Sequence, residues 1–241
     1  MLTLYQFAIS HYCEKIRWAL DFKQLEHRVK NLLPGLHFMT ARKLAGDSAV
    51  PILVHDEKVI QNSSDIITYL DAVFPQRALT PVRDDWRRQA LEWERYLDKE
   101  VGIHVRLCCY HSLLEHPAML IPSFTKGGPW YGAAVYRVIF PTLRKKMREL
   151  MNINERTARL SRKRVERAID ALNARLQGRS YLVGDRFTRA DLAAAALLAP
   201  LCRPRKYGLD WPERFPDELQ AIVEANQDKI RWVEELYRKH R

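Results

Sequence analysis

The apolar periodicity of the chain changes once, near residue 82, and that change restricts the fold more than any single residue does. Downstream, Arg83 to Glu115, Val135 to Met151, Glu155 to Gln177, Arg189 to Leu201 and Asp217 to Lys239 carry apolar residues at a period close to 3.6, with strand-like alternation nearly absent. These segments predict an all-helical bundle. Upstream, β-prone and helical runs are mixed. Leu2 to Phe7 reads as a strand, Cys13 to Phe22 as a helix with Ile16, Ala19 and Leu20 on one face, and Val29 to Leu33 as a second strand that Pro34-Gly35 breaks. After an irregular segment, Pro51 to Val54 and Lys58 to Ile60 form a hairpin about His55-Asp56-Glu57. Ser63 to Val73 then places Ile66, Ile67 and Leu70 at helical spacing. The aperiodic, proline-containing stretch from Phe74 to Pro81 is the linker, so the expected units are residues 1–75, a linker at 76–82 and a helical domain at 83–241.

A βαβ unit followed by a ββα unit is the plan of a thioredoxin fold, so the expected class is an α/β thioredoxin-like N-terminal domain followed by an all-α C-terminal bundle. Within the bundle, Pro117 to Gly132 holds three prolines and three glycines and is expected to be a functional or mobile loop. Farther on, Thr188 and Asp191 have capping-box spacing, and Phe187 with Leu192 can staple the same helix start. The net charge of +11 would suit a nucleic-acid partner. Most of the excess, however, is spread along amphipathic helices beyond residue 82, where it reads as solvated faces, and no zinc-finger spacing or Gly-rich nucleotide loop accompanies it. Four irregularly spaced cysteines read as thiols of a reducing, cytoplasmic compartment, and the N-terminus shows no export signal. The longest apolar run, Leu192 to Cys202, is about half of what a bilayer requires, so no membrane partner is expected.

The chemistry concentrates at two helix starts. Ser10-His11-Tyr12-Cys13 occupies the C-x-x-C position of a redox thioredoxin with serine in place of the first cysteine, which removes a dithiol cycle. What remains is a helix N-terminus with unpaired N–H groups, an environment that stabilises a thiolate supplied by a bound molecule. Judged on this residue alone, an ordinary N-cap is the better reading of Ser10. In Ala49-Val50-Pro51-Ile52, a cis peptide would turn the Val50 backbone outward to pair with a peptide-like ligand. Asn62-Ser63-Ser64-Asp65 then opens an apolar helix and offers a carboxylate site. Taken in order, the three motifs point to a γ-glutamyl peptide lying across two helix ends.

Ser10 to Leu20, the Val50-Pro51 pair and Asn62-Ser63-x-x-Ile66-x-x-Tyr69-Leu70 resemble the glutathione transferase N-terminal domain, and Gly178 to Leu192 resembles that family's C-terminal signature. The first motif is similar to the serine and omega-like branches, and to the glutaredoxin-like prostaglandin E synthase type 2 branch with its first cysteine lost. The resemblance implies glutathione as co-substrate. It implies that Val50 pairs with the cysteinyl backbone beside a cis Pro51, that Asn62 and Ser63 hold the γ-glutamyl carboxylate, and that Ser10 donates to the sulfur, with Cys13 as the other catalytic candidate. Gln6 stands where tyrosine-type members carry a hydroxyl, Tyr5 is one residue off and should face the other way, and Asn62 replaces a longer acidic or amide residue. The expected activity is attack of the glutathione thiol on a small, mostly apolar electrophile, in the manner of detoxification; the alternative is a non-catalytic module that contacts an acidic protein or nucleic acid through its basic helices. A homodimer is implied, with Asp65, Tyr69, Trp86, Arg87 and Trp93 at the interface. His104, Cys108 and His111 recur at i, i+4 and i+7, but three soft ligands without a fourth read as core and pocket lining rather than as a metal site. The electrophile pocket is expected to use Tyr12, His104, Tyr110, His111, Trp130 and Tyr131.

Overall fold

The computed structural model describes residues 1–241. Four strands, β1 (Leu2–Gln6), β2 (His27–Asn31), β3 (Ile52–His55) and β4 (Lys58–Gln61), form one sheet in the order β2-β1-β3-β4. β1 runs parallel to β2 and antiparallel to β3, and β3 pairs antiparallel with β4. Alternation along β1 buries Leu2, Leu4 and Gln6, and the helices α1 (His11–Phe22) and α3 (Ser63–Val73) close over the core with Ile16, Leu20, Ile66, Ile67 and Leu70. The second strand begins two residues earlier than its sequence suggests, because β2 is an edge strand whose central residues are exposed and carry no buried alternation. Part of the segment expected to be irregular is a helix, α2 (Phe38–Ala45), ended by Gly46 in the left-handed region at φ 82°. It buries only Ala41, so no apolar stripe announced it.

The rest of the chain is helical. α4 (Asp84–Leu97) continues through a widened π turn, Asp98–Gly102, into α5 (Ile103–Leu113), so the expected Arg83–Glu115 helix is one rod with a distortion near its middle. The expected loop from Pro117 to Gly132 contains a further helix, α6 (Pro117–Thr125), which opens on proline, the residue best suited to a first helical position. α7 (Gly132–Leu150), α8 (Glu155–Leu176), α9 (Arg189–Cys202), α10 (Asp217–Asn226) and α11 (Arg231–His240) follow. α9 is buried from Arg189 to Leu201 and is rich in alanine, which lets α1, α4 and α11 approach it closely. Its start is the expected capping box: Asp191 Oδ2 accepts from Thr188 N–H at 2.9 Å, and Asp191 Oδ1 accepts from Leu182 N–H at 2.7 Å.

A buried ionic network ties the sheet half to the helical half. Lys15 on α1 lies 2.9 Å from Glu94 on α4 and 2.8 Å from Asp98. Glu94 also pairs with Arg189 of α9 at 2.6 Å, and Arg189 donates to the Ser64 carbonyl at 2.8 Å and to the hydroxyls of Thr68 and Thr80. Lys15, Glu94 and Arg189 are almost fully enclosed, so each charge depends on the others.

Candidate functional site

The ladder brings three segments to one end of the sheet. Tyr5 faces Ile52 and Ile52 faces Gln61, so the chain leaves β1 toward Ser10, enters β3 from Val50-Pro51 and leaves β4 into Asn62-Ser63 on the same edge. Ser10 is the N-cap of α1, with φ −76° and ψ 123°, and its Oγ accepts from Cys13 N–H at 3.3 Å. The Ser10 hydroxyl also interacts with the Cys13 thiol, and it stands beside the unpaired first N–H groups of α1. Cys13, two residues into the helix, is fully enclosed, and burial pushes its thiol above the ordinary value. Ser10 lies in the wall of the cleft and Cys13 does not.

The neighbours of Ser10 are fixed by the π turn. His11 Nε2 donates to the Gly102 carbonyl at 3.0 Å, and burial with the nearby Arg106 charge brings its pKa down to about 3, so the ring is neutral. The Tyr12 hydroxyl donates to the Asp98 carbonyl at 2.5 Å, which leaves the ring rather than the hydroxyl as its contribution to the cleft. A Cβ at Gly102 would lie 2.3 Å from the Tyr12 hydroxyl oxygen, so this approach requires glycine.

The Val50–Pro51 peptide is cis, and Val50 lies in the cleft wall. Gln61, a residue the sequence did not single out, donates to the carbonyls of Asp47 and Ala49 at 3.1 and 2.7 Å and holds that segment in place. Asn62 has φ 78°, a conformation asparagine tolerates, and its side chain accepts from Ser64 N–H at 3.1 Å as the N-cap of α3. Ser63 is buried at the start of that helix. Both stand beyond the wall of the main cavity, on the edge next to Val50. The Gln6 amide accepts from Arg17 at 2.6 Å and donates to Asn31 at 2.8 Å, so it is already engaged within the protein. Tyr5 faces the other side of the sheet and accepts from Lys30.

Between the two halves lies a cavity of about 790 Å³, mostly apolar, with Phe7, Ser10, Tyr12 and Val50 on one side and Tyr110, Met119, Met147, Trp211 and Phe215 on the other. Its volume suits a small organic molecule. Burial raises the Tyr110 phenol to about 12, so it remains protonated at neutral pH. Of the residues expected to line this pocket, Tyr12 and Tyr110 do, and four do not. His104 Nδ1 lies 2.9 Å from Ser161 Oγ on α8, and His111 lies between Glu218 at 3.0 Å and Glu155 at 3.4 Å. Trp130, 94 % exposed, and Tyr131 project from the segment before α7. The reason is helix geometry: Arg106, Cys109, Tyr110 and Leu113 share the cavity face of α5, whereas His104 and His111 lie on the face turned to α8 and α10. Arg106 was therefore missed; its i, i+3, i+4, i+7 relation to Cys109, Tyr110 and Leu113 is the signal that would have found it.

A thioredoxin-like half thus presents a helix N-terminus to an apolar cavity built by the helical half. The family model "Glutathione S-transferase, N-terminal domain" matches residues 4–78, and "Glutathione S-transferase, C-terminal domain" matches residues 152–224. The chain is 35% identical over 96 residues to glutathione S-transferase 1 of Dianthus caryophyllus, a match that spans 39% of this chain and 42% of that relative. It is 23% identical over 242 residues to glutathione S-transferase TCHQD of Arabidopsis thaliana, covering 92% of this chain and 84% of the relative. A solved glutathione S-transferase of Methylobacterium radiotolerans in complex with glutathione sulfonate superposes with a TM-score of 0.61 at 21% identity, covering 97% of this chain and 92% of that one. The chain belongs to the glutathione S-transferase superfamily. No helix is long and apolar enough to cross a membrane.

Proposed function

We propose that the chain is a glutathione transferase that ionises bound glutathione at Ser10 and presents the thiolate to an electrophile in the adjoining cavity. The observation that carries this reading is the position of Ser10, which is at once the N-cap of α1 and part of the wall of a large apolar cavity. The N–H groups and dipole at the start of α1, together with the Ser10 hydroxyl, favour a sulfur anion over a thiol. In this reading Val50 meets the cysteinyl backbone, and Asn62 with Ser63 at the start of α3 meets the γ-glutamyl carboxylate. Four unpaired cysteines fit a reducing, cytoplasmic setting. Titration of bound glutathione by thiolate absorbance tests the reading. A midpoint at least one pH unit below that of free glutathione is expected, and an unshifted midpoint overturns it.

A further inference from the structure

Three charged side chains reach the wall of the cavity, and only one lacks a counter-charge. Lys146 pairs with Glu149 at 3.1 Å and Asp210 with Lys126 at 2.9 Å, both in largely exposed settings. Arg106 is different. Its Nε is enclosed without a hydrogen-bond partner, no carboxylate pairs with its guanidinium, and its guanidinium carbon stands over the Tyr12 ring, 6.0 Å from the ring centroid. Two histidines in the wall do not change the balance, because His11 is neutral and burial lowers the pKa of His37. The cavity therefore holds an unneutralised cation among apolar walls. A partly buried guanidinium without a partner is costly, and its planar fork matches a carboxylate better than any other common ligand group.

We infer that the electrophile of this transferase is an aryl carboxylate, its ring among Phe7, Trp211 and Phe215 and its carboxylate on Arg106. The inference rests on the transferase reading of the same cavity and adds the chemical class of the second substrate. Tyr110 lies on the same helix face as Arg106, stays protonated, and its hydroxyl has no hydrogen-bond partner within the protein, so it supplies a second donor to the anion. Neutral haloarenes would fill the apolar space but leave Arg106 unpaired, which is a basis for discrimination rather than for binding alone.

Ethacrynic acid and its neutral amide separate the two, since they share the aryl group and the reactive enone and differ in charge. In either conjugate addition the thiolate sulfur bonds to the terminal methylene carbon and the C=C pair moves to the adjacent carbon. That carbon then takes up a proton from solvent in place of the one released by the thiol, so the adduct is the sum of its reactants. The wild-type protein is expected to show at least tenfold higher kcat/KM for the acid than for the amide. It should also bind the acid at least tenfold more tightly without glutathione, read by quenching of tryptophan fluorescence. Arg106→Met should bring both ratios toward one, and Arg106→Lys should keep part of the preference. Equal binding of acid and amide by the wild type, or ratios unchanged in Arg106→Met, overturns the inference. If the acid binds with this Arg106-dependent preference but no adduct forms with either compound, the transferase reading fails and the carboxylate site stands.

Discussion

Ser10 and Cys13 sit three residues apart on one turn, yet the fold gives them different surroundings. Ser10 caps α1 at the cavity wall, whereas Cys13 faces the core with its thiol made harder to ionise by burial. If Ser10 stabilises the glutathione sulfur as it becomes anionic, Ser10→Ala should lower kcat by roughly ten- to a thousand-fold with a smaller change in glutathione affinity, because the lost interaction strengthens in the transition state. Cys13→Ala should change thermal stability and leave turnover per folded molecule within about threefold, since removing a buried sulfur costs packing rather than chemistry. Steady-state kinetics of the two variants with one electrophile distinguish them, and loss of activity in Cys13→Ala with retention in Ser10→Ala would reverse the assignment. These positions were legible in the sequence because a helix cap is a local matter: Ser10, Val50-Pro51 and Asn62-Ser63 each sit where an element begins. Arg106 was overlooked although its spacing from Tyr110 puts the two on one helix face; which face of α5 the cavity takes is decided by α8 and α10, which cover the other side.

At the scale of elements, the same distinction separates what the sequence announced from what it hid. α1, α3, α8 and α9 carry full apolar stripes or capping boxes and stand close to their expected bounds. α2 buries a single residue, and α6 hides among prolines and glycines that read as a loop. The π turn at Asp98–Gly102 has no periodic signature, and its Asp98 and Gly102 carbonyls accept from Tyr12 and His11 of another element. What joins these elements is testable at Glu94, which lies between Lys15 of α1 and Arg189 of α9. Glu94→Gln leaves two buried cations short of a charge and should cost about 3 kcal/mol or more, lowering Tm by roughly 6–12 °C. The Lys15 and Arg189 charges outweigh burial and hold the folded Glu94 carboxyl below its ordinary value of 4.5. Its contribution to stability is therefore full above about pH 4.5 and is lost as pH falls through the lower folded value. Calorimetric melting from pH 7 down to pH 3 should show the gap between wild type and Glu94→Gln narrowing in the acid range. A gap that stays constant or widens on acidification would show that Glu94 acts through packing rather than charge.

The whole molecule carries a formal charge of +11, and that charge acts oppositely on its two proposed associations. A symmetric homodimer is proposed through α3 and α4, where Tyr69, Trp86 and Trp93 are half-buried and Asp65 and Arg87 are exposed. Trp93 meets Tyr96 edge to face, with ring centroids 5.7 Å apart, which gives α4 a rigid aromatic ridge to offer a partner. Each partner brings the same +11, so long-range repulsion opposes the encounter unless salt screens it. The screening length falls from about 30 Å at 0.01 M to about 8 Å at 0.15 M ionic strength, so dimerisation should tighten over that range. Glutathione is a net anion that meets a cationic protein, and its binding should weaken over the same range as its attraction is screened. Light scattering at micromolar concentration, paired with calorimetric titration of glutathione at both ionic strengths, reads the two trends in one preparation. A monomer at both salt concentrations removes the dimer. A dimer that weakens with salt would mean that opposite charges across the interface, rather than the apolar ridge of α4, hold the subunits together.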